Sequence, residues 1–155
     1  MFRYSLVYAL RDPHHPLCDR LSLCASSLGL FAPYPHVTIR HGLDFSTALG
    51  LHEVFKRQYK LPDIRVLPSV SVSSTLLFNA NGKRVSFYSL EQPVLVNNRR
   101  IPGLHLSVAY KLSQPFTVSE MSSIRALDET LEASNWCLSV HSCHAKSPRF
   151  WRKIL

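Results

Sequence analysis

Two short segments of the chain carry the same arrangement of side chains that can handle protons. Residues 36–39 read His-Val-Thr-Ile and residues 105–108 read His-Leu-Ser-Val, so each segment has a hydroxyl two positions after a histidine. Residues i and i+2 of a strand point to one face, so each imidazole would lie beside its hydroxyl while the apolar residues face the core. The pattern predicts two polar dyads, His36/Thr38 and His105/Ser107.

Two such dyads facing one cleft suit the cleavage of a phosphodiester. One histidine can accept the proton of an attacking hydroxyl while the other protonates the leaving oxygen, because an imidazole pKa of about 6.5 permits both states near neutral pH. The two hydroxyls can hold the non-bridging phosphate oxygens as negative charge develops on them. This chemistry needs no metal ion, and we predict no cofactor.

Strands and helices must position the dyads, and the sequence predicts both. Six segments rich in β-branched and aromatic residues are predicted as strands: residues 2–10, 34–40, 65–78, 83–90, 104–110 and 136–142. The segment Asn-Ala-Asn-Gly at 79–82 predicts a hairpin. A histidine-bearing strand followed by a helix occurs from residue 36 and again from residue 105, which predicts two similar halves with a cleft between them.

Three amphipathic helices are predicted from the spacing of apolar residues. The first follows Pro16, and a capping box formed by Thr117 and Glu120 opens the third. The apolar stripes are Leu17, Leu21, Cys24 and Leu28 in the first helix, Leu51, Val54, Phe55 and Tyr59 in the second, and Ile124, Leu127 and Leu131 in the third.

The composition fits one α+β domain over residues 1–155 that binds an anionic partner. The chain is 46% hydrophobic, which is enough to bury a core. Lys and Arg number 18 against 10 Asp and Glu, a net charge of +8 that favours a nucleotide, a nucleic acid or an acidic surface as partner. The longest uncharged run, residues 21–39, contains two prolines and a histidine, so no membrane span is expected. With no signal peptide recognised, we expect a cytoplasmic monomer.

The four cysteines predict buried thiols rather than disulfides in a chain of this size and compartment. A zinc site is the alternative, because Cys137, His141, Cys143 and His144 lie close together in sequence. Their spacing matches none of the usual short zinc-ligand patterns. No metal is therefore predicted.

The paired motifs resemble those of the 2H phosphoesterases, a family named for two His-x-Thr/Ser motifs in the separate halves of a bilobal α+β fold. The match is direct at His36/Thr38 and His105/Ser107, and the opening residues 2–13 followed by a helix are similar to the family's first strand and helix. The resemblance implies two antiparallel sheets that line a central cleft, with helices outside.

The resemblance also implies that His36 and His105 form the acid/base pair while Thr38 and Ser107 hold the phosphate. The residues leave open which histidine is the acid and which is the base, and we take His36 as the acid and His105 as the base. Family members act on RNA ends, 2',3'-cyclic phosphates, 2'-5' oligoadenylates and cyclic dinucleotides. The compact chain is most similar to viral members that destroy 2'-5' oligoadenylate and so silence an antiviral nuclease. A metal-independent 2',5'-phosphodiesterase is the activity implied.

Aromatic and basic residues near the motifs are the candidates for substrate binding. Tyr8 lies on the first predicted strand, Tyr110 follows the second motif, and Arg149, Phe150 and Trp151 stand in a basic tail. Rings can stack on bases and cations can bind phosphates. A non-catalytic RNA-binding module with structural histidines is the alternative to an enzyme, and a zinc-dependent hydrolase is a third reading.

Overall fold

A computed structural model describes residues 4–28, 30, 32–78, 83–142 and 152–153. Within them the chain forms three α-helices and one nine-stranded sheet. In chain order the elements are β1 (Tyr4–Leu10), α1 (Pro16–Ser27), β2 (His36–Leu43), α2 (Phe45–Gln58), β3 (Ile64–Val66), β4 (Ser71–Phe78), β5 (Arg84–Val96), β6 (Arg99–Leu112), α3 (Val118–Ser123), β7 (Glu129–Leu131), β8 (Trp136–Ser142) and β9 (Arg152–Lys153).

The strands form a single curled sheet, and every described strand pair is antiparallel. The order is β7-β3-β5-β6-β2-β1-β8-β9, with β4 also paired to β5. The predicted α+β class is confirmed, but the expectation of two separate sheets is wrong. β2 and β6 pair at Val37 and Leu106, and this pair joins the strands on either side of it into one sheet.

Helices α1 and α2 cover one face of this sheet. The side chain of His15 caps α1 by accepting from Leu17 N at 3.0 Å, and that of Asp44 caps α2 by accepting from Thr47 N at 2.6 Å. Helix α1 buries Leu17, Leu21 and Ala25 in the main core, together with Val37, Leu106 and Trp136. Helix α2 packs Ala48 against Leu6 and Val140 at the β1/β8 side of the sheet. Among the residues described, no helix has the length and apolar character to cross a membrane.

The third predicted helix is much shorter than its apolar stripe indicated. The capping box of Thr117 and Glu120 is present, but α3 ends at Ser123 and Leu131 lies in β7. The fully buried Gln92 explains the difference, because its side chain accepts from Leu127 N at 2.9 Å and donates to Leu127 O at 2.8 Å. Leu127 therefore pairs with a distant side chain instead of a preceding turn of helix.

Candidate active site

The two motif strands lie side by side, and their register brings both dyads to one face. Val37 of β2 is directly opposite Leu106 of β6, and both side chains are fully buried. Directly opposed residues of an antiparallel pair share a face, whereas sequence neighbours on a strand point to the other face. Four side chains therefore share the sheet face opposite to α1 and α2, which we name the dyad face: His36, Thr38, His105 and Ser107.

The same register crosses the two dyads. Extending this antiparallel register by one residue in each direction puts His36 opposite Ser107 and Thr38 opposite His105. Each imidazole thus has a hydroxyl beside it on its own strand and another across the strand pair. An anion on this face can meet both kinds of group from both halves.

Each histidine is oriented by its own chain in the same way. Nδ1 of His36 lies 2.6 Å from the carbonyl oxygen of Tyr34, and Nδ1 of His105 lies 2.9 Å from that of Gly103. A carbonyl oxygen only accepts, so Nδ1 must carry a proton and donate in both rings. Each ring is thereby left with Nε2 as the atom that can exchange a proton.

Glu91 on β5 makes His105 different from His36. Nε2 of His105 lies 2.8 Å from Glu91 Oε2, and the Ser73 hydroxyl donates to the same oxygen at 2.7 Å. Because Nδ1 already donates to Gly103, donation from Nε2 to a carboxylate requires the imidazolium form. Burial alone would lower the pKa of His105, but the hydrogen bond and charge of Glu91, helped by Gly103, raise this pKa above its usual value.

The carboxyl of Glu91 is correspondingly ionised. Burial would raise the pKa of Glu91, yet its hydrogen bonds with His105 and Ser73 and the charge of His105 bring this pKa below its usual value. The pKa shifts of His105 and Glu91 both indicate an ion pair at neutral pH.

His36 is shifted in the opposite direction. Burial is the largest cause that lowers the pKa of His36, the Tyr34 carbonyl opposes it, and the charge of His105 lowers it further. Its ring also packs beside His141 of β8, with 5.3 Å between ring centroids. At neutral pH His36 is therefore the neutral imidazole, with Nε2 as an acceptor.

Small hydroxyl side chains extend around the dyads. The Ser89 hydroxyl donates to Ser107 Oγ at 3.0 Å, which allows Ser107 to direct its own proton elsewhere. Strand pairing shows which further residues share the dyad face. Ser107 is opposite Glu91, Ser89 is opposite Ser73, and Val7 is opposite both Thr38 and Ser139. The serines and threonines on this face include Ser5, Thr38, Ser71, Ser73, Thr75, Ser89, Ser107 and Ser139.

The two predicted substrate-binding residues that the structure describes, Tyr8 and Tyr110, do not line the dyads. Tyr8 is directly opposite Val37, so its side chain lies on the helix-covered face and not beside His36. Tyr110 is opposite Ser89 on the dyad face, but it is only 4% exposed and its ring packs edge-on against Phe87. Burial leaves Tyr110 as packing beneath the site and not as a stacking surface. Arg149, Phe150 and Trp151 lie outside the described residues.

Four polar residues at the site were missed by sequence reasoning: Ser73, Ser89, Glu91 and His141. Ser89 and Glu91 are two residues apart on β5, the same spacing as in a motif dyad. The sequence predicted that this strand ends at residue 90, so Glu91 was not placed on it. Ser73 and His141 carry no local signal, because strand pairing alone brings them to this face.

The cysteines are only partly described. Cys18 and Cys24 are free thiols, and Cys137 Sγ lies 3.4 Å from Ser139 Oγ. Of the alternative zinc set, Cys137 and His141 are on β8, while Cys143 and His144 fall outside the described residues. Across the ranges that the structure describes, no three His, Cys, Asp or Glu side chains are grouped to hold a metal ion.

Comparison of the chain with known proteins identifies no family. No protein-family model, curated protein or solved structure matches the chain. The resemblance to the 2H phosphoesterases therefore depends on the two motifs and on the site residues themselves.

Proposed function

We propose that this protein is a metal-independent phosphodiesterase of the 2H type that cleaves the 2'-5' linkage of oligoadenylate or a related small nucleotide. The observation that supports it most is the β2/β6 register at Val37 and Leu106, which sets two imidazoles and two hydroxyls on one face. The pKa of His36 is lowered and that of His105 is raised, so a neutral base and a protonated acid can coexist near neutral pH.

His36 is the general base in this proposal. Its Nδ1 proton is held by Tyr34 O, so the neutral ring accepts through Nε2. In a 2'-5' linkage the neighbouring ribose 3'-hydroxyl gives its proton to Nε2 while its oxygen forms a bond to phosphorus. The role that the sequence assigned to His36, the acid, is thereby reversed.

His105 is the general acid. Its imidazolium gives the Nε2 proton to the departing 5'-oxygen as the bond from that oxygen to phosphorus breaks. The products are a 2',3'-cyclic phosphate end and a free 5'-hydroxyl, with His36 protonated and His105 neutral. Because the Nε2–H bond of His105 is directed at Glu91, the leaving oxygen must share or replace that carboxylate as acceptor.

Thr38 and Ser107 bind the phosphate. Their hydroxyls donate to the non-bridging oxygens, where charge increases in the transition state. Ser107 accepts from Ser89 and is thereby oriented to donate forward. The other serines of the dyad face offer hydrogen bonds to ribose hydroxyls.

Cleavage of 2'-5' oligoadenylate would remove the activator of an antiviral nuclease, so the biological role in this proposal is to suppress nucleotide-based antiviral signalling. Nucleotide phosphodiesters in general satisfy the chemistry of the dyad face. RNA ends with 2',3'-cyclic phosphates and cyclic dinucleotides are the competing substrates.

The test is a chelator-treated incubation with 2'-5' triadenylate, 3'-5' triadenylate, a cyclic dinucleotide and an RNA with a 2',3'-cyclic end, followed by chromatography. The double variant His36→Ala/His105→Ala is the negative control, and His41→Ala, an exposed histidine on the same strand as His36, is the matched control. We expect cleavage of the 2'-5' substrate by the wild type and by His41→Ala alone. Turnover lost to chelator would instead indicate a metal-dependent hydrolase, and no product from any substrate would favour the RNA-binding module.

A further inference from the structure

A second groove lies on the sheet face away from the dyads. It has a volume of about 510 Å³ and lies between the C-terminal half of α2 and strands β1 and β8. Tyr8, opposite Val37 on the helix-covered face, forms part of its wall. The groove is therefore separated from His36 and His105 by the thickness of the sheet.

Aromatic rings and cations alternate along this groove. Phe55 and Tyr59 extend from α2 with their ring centroids 4.9 Å apart at 43°, and Tyr59 is 58% exposed although it is a large ring. Lys56 and Lys60 follow these rings in sequence and line the same groove. Positions 55, 56, 59 and 60 thus each offer either a stacking surface or a positive charge to the groove.

Two side chains at the inner end of the groove are hydrogen-bonded to backbone carbonyls of β8. An Arg11 guanidinium nitrogen donates to Trp136 O at 3.0 Å, and His52 Nε2 lies 3.2 Å from Leu138 O. Burial, followed by the neighbouring Tyr59, raises the pKa of Tyr8, so its phenol stays neutral. Arg11, His52 and Tyr8 thus line the groove together with the exposed Lys56 and Lys60.

The charges in this groove differ from those in the comparable groove beside α1. In the α1 groove, Arg20 is paired with Glu129 at 2.7 Å and Asp128 also lines the wall. Within the described part of the chain, no carboxylate lines the α2 groove, and none of the ion pairs involves Lys56 or Lys60. The α2 groove is thus left with positive charge to neutralise.

We propose that the α2 groove binds single-stranded nucleic acid, with bases stacked on Tyr59 and Phe55 and phosphates bound by Lys56, Lys60 and Arg11. Interleaved rings and cations are the arrangement by which proteins bind single strands without reading their sequence. A ring and a base both present apolar faces, and the cations replace counterions of the backbone. The site is independent of the proposed phosphodiesterase activity, because it lies on the opposite face.

The experiment measures fluorescence anisotropy of a labelled deoxyadenylate decamer on the whole chain over a range of salt concentrations. A deoxyribose chain lacks the hydroxyl that attacks phosphorus, so the probe cannot be cleaved by the dyads. We expect Tyr59→Leu to weaken binding at least ~5-fold, the effect of losing about 1 kcal/mol of base stacking, and Tyr59→Phe to retain it. Lys56→Gln and Lys60→Gln should each reduce the slope of log K against log salt by about 0.7.

Arg57→Gln is the matched control. Arg57 is exposed in the same last turn of α2, pairs with Glu53 at 2.9 Å and does not line the groove, so its loss should leave affinity unchanged. The proposal is overturned if Arg57→Gln weakens binding as much as Lys56→Gln, since binding would then follow net charge alone. It is also overturned if Tyr59→Leu binds like the wild type.

Two further arms distinguish the ligand and the site. In the His36→Ala/His105→Ala background, Tyr59→Leu and Lys60→Gln should weaken decamer binding by the same factors as in the wild type, because the α2 groove lies on the other face of the sheet. Competition with AMP separates a mononucleotide site from a strand-binding site, because both ligands share a base and a phosphate. Displacement of the decamer by AMP at equal concentration would overturn strand binding.

Discussion

Two histidines with the same local sequence and the same hydrogen bond to the residue two positions earlier acquire different acidities from their neighbours. Desolvation keeps His36 neutral, whereas the Glu91 carboxylate at 2.8 Å keeps His105 charged. One ring can then accept a proton while the other holds one, without any difference in the motifs. Glu91 is thus the residue that separates the two roles.

The first residue-scale prediction concerns the histidines. His36→Ala and His105→Ala should each retain less than about a tenth of wild-type turnover, because a general acid or base contributes 10²–10⁴-fold. Both side chains are on the polar face and outside the buried core, so the far-UV circular dichroism should be unchanged. A variant that folds normally and keeps more activity than this would exclude two-histidine catalysis, and His41→Ala serves as the control for histidine loss.

The second concerns the pH profile. The proposed mechanism requires neutral His36 and protonated His105, so a lowered pKa for the former and a raised pKa for the latter give a broad optimum around neutral pH. Glu91→Gln removes the charge that raises the His105 pKa, so the alkaline limb should move to lower pH while the acid limb set by His36 changes less. The measurement is kcat/KM against pH. An unmoved alkaline limb would show that Glu91 does not set the protonation of the acid.

The third residue-scale prediction tests the hydroxyls. Ser107→Ala should lower kcat by about 10²-fold with little change in KM, if its hydrogen bond strengthens as charge develops on the phosphate. Ser134→Ala, an exposed serine outside β8, is the control. A rise in KM at constant kcat would instead assign Ser107 to ground-state binding.

At the scale of elements, Gln92 decides how the chain leaves α3. Its side-chain amide forms hydrogen bonds with both backbone groups of Leu127 and also donates to Leu67 O at 2.8 Å. One buried side chain thus satisfies backbone groups in two loops that have no strand partner there. The hydroxyls of Ser122 and Ser123 bond back to the carbonyls four residues earlier and compete with further helix. Local propensity alone would have continued the helix.

The element-scale prediction is that Gln92→Leu lowers the free energy of unfolding by about 3 kcal/mol or more, because three buried backbone groups lose their partner at about 1–3 kcal/mol each. Urea denaturation measures the change. Gln58→Leu is the control, because it makes the same substitution at an exposed position at the end of α2. It should change the free energy of unfolding by no more than about 0.5 kcal/mol. A loss below ~1 kcal/mol at Gln92 would mean that water replaces the amide.

At the scale of the whole molecule, the two motif-bearing halves share one core. Leu10, Leu17 and Trp136, from elements on the β2 side of the sheet, pack in the same cluster as Leu90 and Ile64, from strands on the β6 side. The β2/β6 pair continues the sheet across the boundary, and a smaller cluster of Leu6, Ala48 and Val140 lies beneath α2 on the β2 side. The dyads are held in register by this shared core.

One cooperative unfolding transition therefore follows for the molecule. Leu106→Ala should cost about 2–5 kcal/mol, as expected for a fully buried leucine, and should shift the Trp136 fluorescence and the circular dichroism transitions together. Leu112→Ala on the same strand, where the side chain is exposed, should cost much less. Separate transitions would mean that the halves fold independently.

The sequence by itself determined the strands that carry the dyads, the starts of α1 and α3 and the alternation that pairs each histidine with a hydroxyl. These features are local: a period of two defines a strand face, and Pro16 or the Thr117/Glu120 box defines a helix start. The α+β class followed from the same patterns.

Only the tertiary structure decided which strands are neighbours and in what register. Glu91 reaches His105, and Tyr8 turns away from His36, because of pairings between residues far apart in the chain. A shift of one residue in any of these pairings would exchange the two faces, and no local pattern encodes that choice. Long-range strand pairing thus merged two expected sheets into one and made two equivalent histidines chemically different.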